Sequence, residues 1–278
     1  MTDRFSSTSD STRRKLAIIT GGTGGIGREI VDLLLEDGWD IFLLTRNTQR
    51  EKAENKIINN KVENFYCDLN DFSSIEKVCN EIIARGRQIE ILIHCAGQID
   101  PQRSTDISSS ALSAQLNINL SAPILLTSRL AKVIAVNGHI IFVNSIAGVM
   151  PLAGSAVYSA TKFGLRGFAR SLALEFRPRT LRISSVFLGA VDTEMLQRET
   201  LDGGSLLNYV SQPLSARVVA RKIVQVSQGA GKEIFLPWID GIFAHACLII
   251  PGLLRLSMPI LEKVGQFGLK RFNKRRNR

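Results

Sequence analysis

The feature that most restricts this chain is a run of glycines set between two segments of different periodicity, Thr20-Gly21-Gly22-Thr23-Gly24-Gly25-Ile26-Gly27. Before it, residues 15–20 (KLAIIT) form a short apolar run, which reads as a parallel strand buried on both faces. After it, Ile26, Ile30, Leu33 and Leu34 recur at helical spacing, and Gly38 marks the stop. Glycine permits the tight turn between them. Its missing side chain lets backbone amides approach a pyrophosphate, to which the next helix offers the positive end of its dipole. A glycine turn in this setting predicts a dinucleotide site in an α/β fold.

The alternation continues. Strands are predicted at 40–45 (DIFLLT), 62–67, 89–94 (IEILIH), 139–144 (HIIFVN), 182–187 (RISSVF) and 232–236. Between them, residues 48–59 are polar and helix-compatible, and helices are expected at 72–85, 109–136 (bent near Pro123), 156–176 and 215–227. Seven strands alternating with helices predict a doubly wound, Rossmann-type parallel sheet with helices on both faces, as one domain over 15–237. A chain of 278 residues, 45% hydrophobic, is large enough to bury such a core. Residues 1–14, rich in Ser, Thr and Asp, read as a disordered leader with no secretory signal, and 202–212 as a mobile loop.

Cys67, Cys79, Cys95 and Cys247 form no CxxC pair, which argues against a zinc site or a disulfide scaffold and fits a reducing, cytoplasmic compartment. The three histidines are scattered, so no metal is expected. Residues 238–261 change character. They are strongly apolar, with Asp240 and Arg255 as the charged residues. The 14 residues between those two are too few to span a bilayer, and Pro251 interrupts them. After Glu262, seven basic residues follow without an acid, and they carry most of the formal +10 charge. Segment 238–278 is therefore expected to be an apolar extension lying at a membrane surface, with packing on the domain or at a dimer contact as the alternative. Nucleic acid is not an expected partner, because the basic tail lacks interleaved aromatics and a recognised module.

The spacing Thr20-Gly21-x-x-x-Gly25-x-Gly27 resembles the short-chain dehydrogenase/reductase family, in its branch of about 250 residues. Further matches are Asp68, Ala96-Gly97, Asn119, Ser145, Tyr158 with Lys162, and Gly189 to Thr193, so the resemblance covers about 15–237. It implies an oxidoreductase that moves a hydride between a nicotinamide cofactor and a small-molecule carbonyl or alcohol, hydrophobic in view of the apolar C-terminal segment, and commonly a homo-oligomer. A non-catalytic sensor or scaffold that keeps the fold is the competing class.

The cofactor expected is NADP(H). Strand two ends Leu44-Thr45-Arg46. Thr45 stands where members that prefer NAD carry Asp, and the planar guanidinium of Arg46 suits a 2′-phosphate. By resemblance, Thr20, Gly21, Thr23, Gly24, Gly25, Ile26 and Gly27 hold the pyrophosphate, and Asp68 and Leu69 the adenine. Ala96 and Gly97 allow close approach, and Gly189, Val191 and Thr193 flank the nicotinamide carboxamide.

Tyr158 and Lys162, four apart on a predicted helix, share a face. A free tyrosine titrates near pH 10, so it works as an acid or base only beside a cation, which Lys162 supplies. Ser145, at the end of strand five, is placed to hold the substrate oxygen. Asn119 matches the family's fourth catalytic position, with Asn117 a close competitor. Two departures stand out. The usual Asn-Asn-Ala-Gly is His94-Cys95-Ala96-Gly97, with His94 expected to be structural. The usual Pro-Gly after strand six is Leu188-Gly189, which is expected to loosen the lid over 193–212.

Overall fold

The computed structural model describes residues 14–46, 61–176 and 181–276. In chain order the elements are β1 (Leu16–Thr20), α1 (Gly25–Glu36), β2 (Asp40–Thr45), β3 (Val62–Tyr66), α2 (Phe72–Ala84), β4 (Ile89–His94), α3 (Ser109–Leu116), α4 (Ala122–Leu130), β5 (Ile134–Ser145) and α5 (Ala156–Glu175). They continue with β6 (Arg182–Leu188), β7 (Val191–Asp192), α6 (Glu194–Leu201), β8 (Leu214–Ser215), α7 (Ala216–Ser227), β9 (Glu233–Leu236), α8 (Trp238–Ile249) and α9 (Pro251–Arg276). The leader over 1–13 and the helix expected over 48–59 fall outside the described residues.

Seven strands form one parallel sheet in the order β3-β2-β1-β4-β5-β6-β9. The apolar runs require this: every residue of β1 is buried, so both of its faces need cover. On one face α1 and α7 supply it with Ile30, Val31, Leu34, Val219, Ala220 and Ile223. On the other, α2, α4 and α5 supply Ile75, Val78, Ile82, Leu126, Leu130 and Leu165. The strand order reverses between β1 and β4, which opens a crevice at their carboxyl ends.

Three expectations need correction. The helix predicted over 109–136 is α3, a π-helical turn at Asn117–Ser121, and then α4. Pro123 follows the π turn directly within one unbroken helical run, so the irregularity lies just before the proline. Ile134–Val136, expected in that helix, already belong to β5, because Ile134 pairs with Ile89. The loop over 202–212 contains a 3-10 turn at Leu206–Tyr209. Tyr209 is buried against the ring of Phe272 and hydrogen-bonds Thr200, so this segment is anchored.

The C-terminal segment packs on the domain. Ala244 and Cys247 of α8 join a third core cluster with Val149 and Phe187. Arg166 of α5 donates to both carboxylate oxygens of Glu233 on β9, at 3.0 and 2.9 Å, and lies 3.2 Å from Nε2 of His245 on α8. Among the described residues no helix is long and apolar enough to cross a membrane.

Candidate active site

The glycine loop runs from the end of β1 into α1. Gly21 has φ +69°, and a Cβ there would lie 2.6 Å from the backbone of Ala96, so only glycine fits. Thr20 Oγ1 accepts from the amides of Cys95 and Ala96, both at 3.2 Å, and this ties the loop to the end of β4. Gly24 caps α1 with no side-chain acceptor, and the first turn of α1 carries no acid. A glycine cap forgoes only about a few tenths of a kcal/mol relative to a Ser or Asp cap. Burial of Ile30, Val31 and Leu34, at roughly 1.5–3 kcal/mol each, outweighs it. The turn is thus left with unpaired amides, a positive dipole end and no competing negative charge, which fits a pyrophosphate. Thr193 packs its methyl group against Gly25, which brings the segment after β6 over the loop. Arg46 is exposed at the end of β2. Asp68, just past β3, accepts from the amide of Asn70 at 3.0 Å, and Leu69 packs on the core.

Ser145, Tyr158 and Lys162 meet. Ser145 ends β5, and its Oγ accepts from the amide of Ala147 at 3.1 Å. The Ser145 and Tyr158 side chains line the same cavity, and the Ser145 hydroxyl favours the phenolate form of Tyr158. One turn along α5, the Lys162 ammonium lies 5.6 Å from the centroid of the Tyr158 ring. Asn144 fixes the relation of strand to helix, accepting from the Ser145 amide at 2.8 Å and donating to the Lys162 carbonyl at 3.3 Å. The 3-10 turn after β5 presses on the same point: a Cβ on Gly148 would lie 2.8 Å from that carbonyl.

Burial sets the electrostatics. It pushes the Tyr158 hydroxyl above the ordinary tyrosine value, against a smaller lowering from Ser145. It pulls Lys162 down to about 8, so the amine is still mostly protonated at neutral pH. Among the described residues Lys162 has one hydrogen bond, to the Val143 carbonyl at 3.3 Å, and an ammonium has three donors. Its spare donors, close to Gly97 and Asn119, fit the hydroxyls of a ribose.

Asn119 sits in the π turn and is buried. Its amide clamps Gln98, accepting from the backbone N–H at 2.8 Å and donating to the carbonyl at 2.7 Å, and it also donates to Thr161 at 3.2 Å. Asn117 points elsewhere, to the Asn70 carbonyl at 3.4 Å. His94 is structural: it stacks on Phe142 at 5.0 Å and bonds Thr127 at 2.9 Å. Burial holds its pKa down to about 3. Cys95 is likewise kept a thiol, pushed up to about 12 by burial. Leu188 stands at the place of the usual proline, and the amide of the Gly189 that follows it donates to the Leu236 carbonyl at 2.8 Å.

Ser145, Tyr158 and Lys162 face a cavity of about 460 Å³ that also reaches Ile26, Gly97, Gly189, Val191 and Thr193. Much of its wall was not read from the sequence: Met150 and Leu152 after β5, Leu196 and Glu199 on α6, and Ile239, Asp240, Phe243 and Leu261 from the C-terminal helices. These residues lie on irregular or distant segments with no periodicity that aims them at a common space. Burial raises both carboxyls, Glu199 and Asp240, above their ordinary values.

A family model described as short chain dehydrogenase matches residues 15–203. The chain belongs to the short-chain dehydrogenase/reductase family. It is an oxidoreductase of that family, and its relatives include carbonyl reductase family member 4 of Danio rerio, 32% identical over 185 residues that cover 65% of this chain and 77% of that protein. Among solved structures it resembles a short chain dehydrogenase from Burkholderia cenocepacia in complex with NADP, with a TM-score of 0.70 at 24% identity, covering 80% of this chain and 95% of the other. It also resembles 4-hydroxyisoleucine dehydrogenase complexed with NADH, with a TM-score of 0.70 at 21% identity, covering 80% and 96%. At these identities the two structures establish the fold alone.

Proposed function

We propose that this protein is an NADP(H)-dependent carbonyl reductase for a hydrophobic ketone, with oxidation of the alcohol as the reverse of the same step. The observation that carries the reading is the convergence of Ser145, Tyr158 and Lys162 on one cavity that also reaches the glycine loop at Ile26. When bound, the nicotinamide of NADPH supplies the hydride that the carbonyl carbon accepts. Ser145 holds the carbonyl oxygen and steadies its developing charge. Tyr158 gives that oxygen a proton, a role that suits a phenol kept protonated by its surroundings. Lys162 faces the ring and favours the phenolate left behind. Asn119 fixes the wall beside Lys162 through Gln98 and Thr161, and a water relay along that wall returns the proton.

The choice of NADP(H) rests on β2. Thr45 offers no carboxylate to bind a 2′-hydroxyl or to repel a 2′-phosphate, and Arg46 offers a fork of donors. Hydrophobicity of the substrate rests on the apolar wall, formed by residues such as Ile99, Met150, Phe243 and Leu261. Tyr158→Phe removes the acid and keeps the ring. Steady-state turnover should fall by about 10²–10⁴-fold while NADPH titration stays near wild type. Turnover within a few-fold of wild type would refute the assignment.

A further inference from the structure

We propose that the outward faces of α8 and α9 dock on a bilayer of anionic lipid, and that the substrate enters the cavity from that bilayer. The inference rests on the reductase reading for its second half only.

Both helices are already packed, yet each turns an apolar stripe to solvent. On α8 the stripe is Trp238, Ile242 and Ile249; on α9 it is Leu256, Ile260 and Phe267. The two share the same i, i+4, i+11 spacing, which keeps three side chains on one helical face. Ile249 and Leu256 are each 79% exposed, so these are whole side chains in water and not the edges of a core. Their inner faces are spent: Cys247 is buried, Gly265 of α9 seats on the backbone of Leu206, and Leu261 lines the cavity. Exposed apolar stripes of this kind call for a partner.

Charge identifies the partner. At 100° per residue, Lys263, Lys270 and Lys274 fall within about 40° of Leu256 around α9. All three are exposed. The apolar stripe and the basic row are therefore one face, apolar toward α8 and cationic toward the C-terminus. Glu262, the acid on α9, lies about 120° away. Long basic side chains flanking exposed apolar ones suit a headgroup layer above acyl chains. A second copy suits it poorly, because a two-fold contact on this face would bury Lys263, Lys270 and Lys274 with no acid on the face to pair them.

The cavity adjoins this face. Ile239 lines it and is 58% exposed, and Leu261, on its wall, directly follows the outward Ile260. Both helices thus contribute to the cavity wall and to the exposed apolar surface, which sets the proposed lipid contact beside the reacting space.

The test uses the full-length protein with phosphatidylcholine vesicles, with and without phosphatidylglycerol. Flotation should show salt-sensitive binding that is stronger with phosphatidylglycerol. Leu256→Ser/Ile260→Ser/Phe267→Ser should keep the wild-type melting temperature and its turnover of a water-soluble ketone. It should lose vesicle binding, and turnover of a vesicle-embedded long-chain ketone, by roughly tenfold or more. Lys270→Glu/Lys274→Glu should abolish the preference for phosphatidylglycerol. Unchanged binding by the triple variant would overturn the proposal. So would a wild-type dimer that the triple variant converts to monomer, which would assign the stripe to a second copy. Vesicle binding without NADPH consumption on any ketone would sink the reductase reading and leave the docking surface standing.

Discussion

A lysine with its ammonium buried is costly to keep, and Lys162 is such a residue. Its pKa in the fold, about 8, lies below the ordinary 10.5 because burial disfavours the charge. Between those two values the unfolded chain binds the extra proton, so stability should rise with pH across that window. Below it, the folded state bears a penalty of roughly 3 kcal/mol. Lys162→Met should therefore be more stable than wild type in urea at pH 7 while losing activity, with the gap closing as pH rises toward 10; a less stable variant at pH 7 would contradict this. Arg46 makes a different demand. It is exposed, so its removal leaves the fold alone. Arg46→Asp should cut kcat/KM for NADPH by about 10–100-fold, the worth of one charge-assisted contact, and shift preference toward NADH in a direct comparison of the two cofactors.

At the scale of elements, the π turn at Asn117–Ser121 shows what the sequence could and could not announce. Strands β1, β2, β4 and β6 were legible within a residue or so because each is a short apolar run, and α1, α2 and α7 because their buried residues recur at helical spacing. The π turn has no such signature. An extra residue in a helix shifts the phase of everything after it, and Asn119 is aimed inward by that shift and held by Gln98, a partner outside the helix. The early start of β5 was hidden because Asn137-Gly138 reads as a turn before the strand, whereas Ile134 already pairs with Ile89 of β4. Asn119→Ala would strip the part-buried Gln98 amide and carbonyl of their partner, a loss of about 0.5–1.5 kcal/mol per hydrogen bond, seen as a lower midpoint in chemical denaturation. A midpoint equal to wild type would show that the clamp is dispensable.

Across the whole molecule, two parts of unequal legibility make the site. The glycine loop, Ser145 and the Tyr158–Lys162 pair lie on regular elements whose spacing is local, so the chain announces them. The space in front of them is closed by α6, the turn at Leu206–Tyr209, α8 and α9, whose positions are set by long-range packing through Phe187, Glu233 and Arg166. The apolar segment after Pro237, expected at a membrane surface or packed on the domain, lines the cavity with Ile239, Asp240, Phe243 and Leu261. On the proposed function, substrate preference follows apolar burial in the cavity beside Tyr158. NADPH oxidation measured against methyl ketones of increasing chain length tests it most directly. Specificity constants should rise by roughly threefold to fourfold per added methylene until the cavity is filled. No consumption along the series, or a response indifferent to chain length, would contradict the account.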